Sequence, residues 1–298
     1  MKMSDFAANV LAIVRDKADG SFNAWLTESE KNNGIVLTGI TTAYPDSDVS
    51  PCIYLDSYYE KYIAGGITID EAAEVIYRSI LEQQNIVLDF NVTDLLNWQS
   101  VKKYIHAELV NADLNRNQLI KIPHRFFMDL AVVYYINLDE VEKGSGTILI
   151  QNDHMKLWGQ DENALYQTAL KNMKTSGNIM FENVMSFITQ YSQTEKDKEA
   201  PENLRMYVLT NQSKYYGASG ILDHSTLHRI SEQIGDFIVL PSSIHEVIII
   251  PKNEDMGDYS RLAAMVKEVN AAVVLPEERL SDHVYVYSRD NEKLRIAA

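Results

Sequence analysis

The sequence predicts an α+β protein built from successive strand–strand–helix units, with mainly antiparallel sheets. Two observations carry this expectation. Paired β-branched runs are joined by short turns rich in Gly, Pro, Asn and Asp, connections too short for parallel crossovers. A segment of helical period then follows each pair.

The first thirty residues read as helical, with an apolar stripe of Phe6, Val10, Ile13 and Val14 and a start capped by Ser4. Asn32-Asn33-Gly34 breaks that pattern, and Ile35 to Thr42 follows as a β-branched strand. A turn through Pro45 and Pro51 leads to the short run Cys52 to Leu55. Thr68 and Glu71, three apart, form a capping box that opens a helix to about Gln84, with Ala72, Val75, Ile76 and Ile80 on one face. Leu130 to Leu138 and Thr147 to Ile150 make a hairpin around residues 143–146, followed by a helix from Asp161 to about Asn172. Arg205 to Thr210 and Gly217 to Leu222 form the next strand pair, before a helix capped by Asp223 that runs to Ile234. Phe237 to Leu240 and Glu246 to Ile250 form the last pair, before a helix from Tyr259 to about Asn270. The polar stretch Gln193 to Asn203 is the expected break between two lobes, 1–195 and 203–298, although a long loop within one domain fits the same residues.

Composition narrows the function classes. With 46% hydrophobic residues the chain is of the folded kind. A single cysteine, Cys52, excludes an internal disulfide framework and a cysteine-rich zinc site, and suits a reducing compartment. No apolar run reaches the ~18 residues that span a bilayer. Phe6 to Val14 lacks the flanks of a signal peptide, so a cytoplasmic protein is expected. The net charge of −15 disfavours direct nucleic-acid binding, since the surface repels phosphate. The first hundred residues hold 15 acidic and 6 basic side chains, so the acidity concentrates there.

Motifs of known chemistry are incomplete. Gly144-Ser145-Gly146 lacks the third glycine of a dinucleotide loop, and Gly217-Ala218-Ser219-Gly220 is one residue short of a nucleophile elbow. His245-Glu246 opens a metalloprotease-like pair, but Ile249 stands where the second histidine belongs. His224 and His228, four apart on a helix with Glu232 one turn on, present a partial metal face that lacks a fourth ligand, so no metal is expected. Ser242, Ser243, His245, Asp282 and His283 contain every residue type of a hydrolytic triad. The plainer reading makes Ser242 and Ser243 a clamp on the turn Pro241 to Glu246, their hydroxyls satisfying backbone groups. Arg125, beside His124, is expected to pair with Asp129, and the tyrosines at 54, 58, 59 and 62 to form a half-buried helical stripe.

The blocks VLTGITT, SPCIYLDSYYEKY, IPHRFFMDLAVVYYI, HMKLWG, MYVLTNQSKYYGASGIL, VLPSSIHEVIIIP and LSDHVYVY resemble, in that order, an uncharacterised domain-of-unknown-function family of anaerobic Gram-positive bacteria. The likeness spans residues 34 to 288. Arg125 to Met173 is also distantly similar to a second uncharacterised bacterial family. The resemblance implies carriage on mobile elements and a role in element–host conflict; it implies no catalytic residue.

The expected function is therefore protein binding without a cofactor. Its sharpest form is an acidic inhibitor of a host nucleic-acid-targeting defence protein, similar in logic to anti-CRISPR proteins. Asp46, Asp48, Asp56, Glu60, Asp70, Glu71 and Glu74 would form one exposed face that mimics phosphates. The alternatives are a serine/histidine-dependent hydrolase centred on Ser243, His245 and His283 with Asp282, and a structural or regulatory subunit.

Overall fold

The computed structural model describes residues 1–45, 50–83, 95–138, 146–176, 178–191, 205–253 and 258–298. They form an α+β fold with three antiparallel sheets, divided between two compact units. The first lies within Met1–Phe90, and the second is formed by residues 95–138 and those from 146 onward. The stretch 193–203, expected to separate two lobes, lies outside the described residues. The strands on either side of it are hydrogen-bonded neighbours within the second unit.

In unit 1, helix α1 (Met3–Ala18) buries Phe6, Ala7, Val10, Leu11 and Val14. Ser4 stands inside the helix instead of capping it; Lys2 occupies the cap position, and its carbonyl accepts the first helical bonds. The helix stops at Asp19 and Gly20, both at positive φ. This stop overturns the helical reading of residues 19–30. Strand β1 (Asn23–Glu30) follows and pairs with β2 (Val36–Ala43) along its whole length, from Asn23↔Ala43 to Glu30↔Val36. Its own alternation is weak: only Ala24 is buried, so the partner strand defines it more than its sequence does. Strand β3 (Cys52–Tyr54) completes the sheet.

Helix α2 (Asp56–Ile63) places Tyr59 and Tyr62 on the Phe6 ring, with centroids at 5.6 and 5.2 Å, so the tyrosine stripe is half core. The capping box of α3 (Ile69–Gln83) forms as expected. The Thr68 amide donates to Glu71 Oε2 at 2.8 Å and the Glu71 amide to Thr68 Oγ1 at 3.2 Å. Ala72, Ala73, Ile76 and Ile80 are its buried face, while Val75 is exposed.

Unit 2 contains two sheets. The smaller joins β4 (Ile105–Asn111), β6 (Leu130–Asn137) and β5 (Arg125–Phe127) in that order, with β7 (Thr147–Leu149) also on β6. The short helices α4 (Trp98–Val101), α5 (Arg116–Leu119) and α6 (Asn152–Trp158) lie in its connections. Helix α7 (Glu162–Ser176) packs beside β4 and β6 through Leu165 and Ala169. Arg125 forks onto Glu162 of α7, with Nη2 2.9 Å from Oε2, and lies over the Tyr166 ring. Its partner is thus Glu162 and not Asp129, whose carboxylate is taken by Ser281, His283 and Tyr285.

The larger sheet has the order β13-β12-β10-β11-β9-β8. Its strands are β8 (Ile179–Asn183), β9 (Tyr207–Asn211), β10 (Phe237–Leu240), β11 (Val247–Pro251), β12 (Tyr285–Ser288) and β13 (Lys293–Ile296). Helix α8 (Val184–Tyr191) follows β8. Helix α10 (Tyr259–Val273) covers one face through Val266, against Ile238, Leu240, Val284 and Val286. Asp223 caps α9 (His224–Ile234) as expected, accepting from the amides of Ser225 and Thr226. Gly217–Leu222 is a wholly buried 3-10 helix, where the sequence suggested a strand. Its small residues lie against β9 and β4, and the Ser219 hydroxyl turns back to the Tyr216 carbonyl at 2.9 Å.

Among the described glycines of this unit, Gly217 makes the closest approach. A Cβ there would stand 2.3 Å from Thr210 Oγ1 and 2.6 Å from both the Asn211 amide nitrogen and the His245 carbonyl oxygen. Gly217→Ala is accordingly expected to destabilise the protein by about 3 kcal/mol, read as a lower urea midpoint at unchanged slope.

Candidate functional site

The turn from Pro241 to Glu246 is fixed by backbone bonds to a second segment. Ile244 N–H donates to the Glu278 carbonyl, Leu280 N–H to that of Ser242, and Ser281 N–H to that of Pro241. Within the turn, Ser243 Oγ accepts from the His245 amide at 3.0 Å. The ring of His245 accepts the Tyr216 amide at Nδ1, 3.2 Å away, which places a neutral ring's proton on Nε2, 3.5 Å from Glu278 Oε1. Tyr216, at φ 58°, lies over this imidazole with an interplanar angle of 19°. Burial raises the Glu246 carboxyl above its ordinary range, against His245 and a Ser243 hydrogen bond.

The residues of the hydrolase alternative, Ser243, His245, Asp282 and His283, are not assembled into a triad. Ser243 is committed to its own turn, and Asp282 accepts from Asn270 Nδ2 at 2.9 Å. His283 instead meets Asp129, with Nδ1 3.0 Å from Oδ2. That carboxylate also accepts Ser281 Oγ at 2.7 Å and Tyr285 OH at 2.5 Å. Asp129 sits at the β5–β6 turn beside Met128, whose φ of 57° is strained for a residue with a side chain. Ser281 is 3% exposed and faces the same imidazole nitrogen as the carboxylate. A serine relay needs the hydroxyl on the opposite nitrogen, so Ser281 is not placed as a nucleophile. The cluster ties the smaller sheet's hairpin to the approach of β12 and leaves His283, 50% exposed, facing solvent.

The acidic set expected to form one face is divided among structural tasks. Glu74 is ion-paired to Lys17 at 2.7 Å and to Arg78 at 2.9 Å. Glu71 closes the capping box, and Asp56 accepts the Thr38 amide at 3.0 Å. Glu60 and Asp70 are exposed; Asp46 and Asp48 lie outside the described residues. Among the described residues no group of three or more His, Cys, Asp or Glu is placed to hold a metal ion. His228 stands between Glu232 and Glu292, at 3.7 and 3.2 Å. No helix among the described residues is long and apolar enough to cross a membrane.

A concave feature of unit 2 lies elsewhere, beside β4. A cavity of about 350 Å³ is lined by His106, Ala107, Tyr135 and Asn137 of the smaller sheet and by Ala169, Met173 and Ser176 of α7. Asn178 and Ile179 at β8, the residues Thr210 to Ser213, and the glycines of the 3-10 segment close it. His106 and Tyr135, partners across the β4–β6 ladder, stack at 5.6 Å between centroids. The Tyr216 ring meets Tyr135 edge-on at 4.9 Å.

Glu108 stands two residues beyond His106 and therefore on the same face of β4. It is 6% exposed, and no described residue hydrogen-bonds to its carboxyl. Burial pushes it up to about 8, so the acid is mostly protonated at neutral pH. Burial and the neighbouring Glu108 together raise the Tyr216 phenol. Sequence reasoning missed Glu108, although a lone glutamate in the apolar run Ile105 to Val110 was a visible anomaly.

A family model matches residues 3–289: that of DUF5688, a family of unknown function. The chain belongs to this family. No curated protein and no solved structure gives a significant match. The DUF5688 match covers both units, including every residue of the cavity and of the Asp129 cluster.

Two outcomes follow for this DUF5688 member. Ser243→Ala should cost on the order of 1 kcal/mol, through loss of the bond to the His245 amide, as measured by chemical denaturation. Glu108 gives a pH signature. Its folded value lies above its unfolded one, so its contribution is complete below the ordinary value of 4.5 and declines as pH rises to about 8. The decline approaches about 1.4 kcal/mol per pH unit within that window. Denaturation midpoints measured from pH 5 to 9 should show it, and Glu108→Gln should flatten it.

Proposed function

We propose that this chain is a small-molecule-binding protein whose ligand occupies the cavity beside β4. The observation that carries the reading is the cavity itself. Its volume of about 350 Å³ falls within the roughly 300–1,000 Å³ of small-ligand sites. Its walls combine a stacked aromatic pair with amide and hydroxyl groups, a lining that recognises an organic molecule by both shape and hydrogen bonding. Much of that polarity is already committed inward. Thr210 Oγ1 donates to the His245 carbonyl, and Asn211 holds Ser213 and the Tyr215 backbone. These bonds make the walls rigid and leave the Gln212 amide, at an exposed position, for a ligand.

The reading assigns no reaction. The acidic-inhibitor alternative retains the net charge of −15 as its support. It is weakened by Glu74, Glu71 and Asp56, whose carboxylates serve ion pairs and backbone amides inside unit 1.

The test is a thermal-shift screen with a broad set of uncharged and charged metabolites, run on the parent protein and on Gln212→Trp. An exposed position tolerates the larger ring with little change in Tm, while the indole narrows the cavity. At least one compound at a hundredfold excess over its Kd should stabilise the parent by about 3 kcal/mol, and the variant much less. Absence of any shift, or a shift that Gln212→Trp leaves intact, would overturn the reading.

A further inference from the structure

Charge on the cavity wall is absent in one sense and concealed in another. None of the described residues lining it is Asp, Glu, Lys or Arg. Immediately beyond, on the same face of β4 as His106 and diagonal to Tyr135 across the ladder, stands the Glu108 carboxyl. It is more than nine-tenths buried, and no described residue hydrogen-bonds to it or gives it a positive partner. A buried carboxyl in this state is expensive: it either keeps its proton or gains a counter-charge. The groups around it are aromatic. Tyr135 and His106 lie on the sheet, Tyr216 crosses above them, and His245 stacks behind Tyr216. Aromatic faces attract cations through their quadrupole, and a desolvated carboxylate behind them adds a field weakly screened by water.

We propose that the ligand of this cavity is an organic cation, an amine or quaternary ammonium, seated on the His106–Tyr135 pair with Glu108 as its buried counter-charge. The assignment rests on the reading of the cavity as a ligand site and adds the chemical class. Binding then carries a proton balance: the neutral Glu108 acid releases its proton to the buffer and remains as carboxylate opposite the bound cation. The other titratable groups facing Glu108 are His106 and Tyr135 from the sheet and Tyr216 from the segment before the 3-10 helix. Glu108→Gln separates the proton of Glu108 from any exchanged by these neighbours.

Isothermal titration calorimetry at pH 7, in two buffers of different ionisation enthalpy, tests this with matched probes. Choline is compared with 3,3-dimethyl-1-butanol, and benzylamine with benzyl alcohol. The cations should bind about tenfold or more tighter than their neutral shape mates, a difference of at least about 1.4 kcal/mol. They should also release close to one proton per ligand. Glu108→Gln, checked for folding by its Tm, should lose both the preference and most of the proton release. Should the neutral probes bind equally well, or cations bind without release, the cation assignment fails and the cavity reading stands. If neither kind binds, the cation assignment fails, and the cavity reading is decided separately by the metabolite screen on the parent protein and Gln212→Trp.

Discussion

The missing side chain at Gly217 is the constraint on which the site of unit 2 depends. At that point the chain passes within van der Waals contact of Thr210, Asn211 and the His245 carbonyl, leaving no space for a Cβ. Only with that approach can the 3-10 segment Gly217–Leu222 lie buried against β9 and β4. The preceding residue is then forced to positive φ, which turns the Tyr216 ring across Tyr135 and onto His245. One close backbone contact thus sets the cavity's edge, the aromatic stack and the cover over Glu108.

Three largely buried carboxyls in this unit meet the cost of desolvation differently. Asp223 is held by the amides and hydroxyls of Ser225 and Thr226 at the start of α9, and these bonds lower its pKa although burial opposes them. Asp129 receives two hydroxyls and an imidazole, and in doing so fastens the β5–β6 hairpin to the approach of β12. Glu108 has no such donors among the described residues and persists as a neutral acid. The first two arrangements stabilise the fold. Among the described residues Glu108 gains no comparable bond, and the proposed counter-charge role is what would give this carboxyl a place in an otherwise apolar run.

Sequence reasoning performed best where local signals and tertiary packing agree. The capping box at Thr68 and Glu71, the cap at Asp223 and the hairpin of β10 and β11 were all legible, because each is a short-range pattern with its own hydrogen bonds. Strand β1 was not legible, since its residues alternate poorly and the pairing with β2 supplies the order. Gly217–Leu222 misled by composition: an apolar run of small residues fits a strand or a buried turn, and only the contact at Gly217 decides between them. The candidate site was the least legible part. His106, Glu108, Tyr135 and Tyr216 are dispersed over more than a hundred residues and share no motif, whereas the visible cluster around Ser243 and His245 serves the turn. Asp129 and His283 lie 154 positions apart, a pairing that no spacing rule exposes.

The most direct test of this account is the titration of Glu108 itself. Selective carbon-13 labelling of glutamate side chains, with the Glu108 resonance assigned from Glu108→Gln, would follow its carboxyl by NMR. The account requires a midpoint near 8 in the ligand-free protein. A midpoint in the ordinary carboxylate range would mean that Glu108 already has a partner or is open to water, and would contradict it.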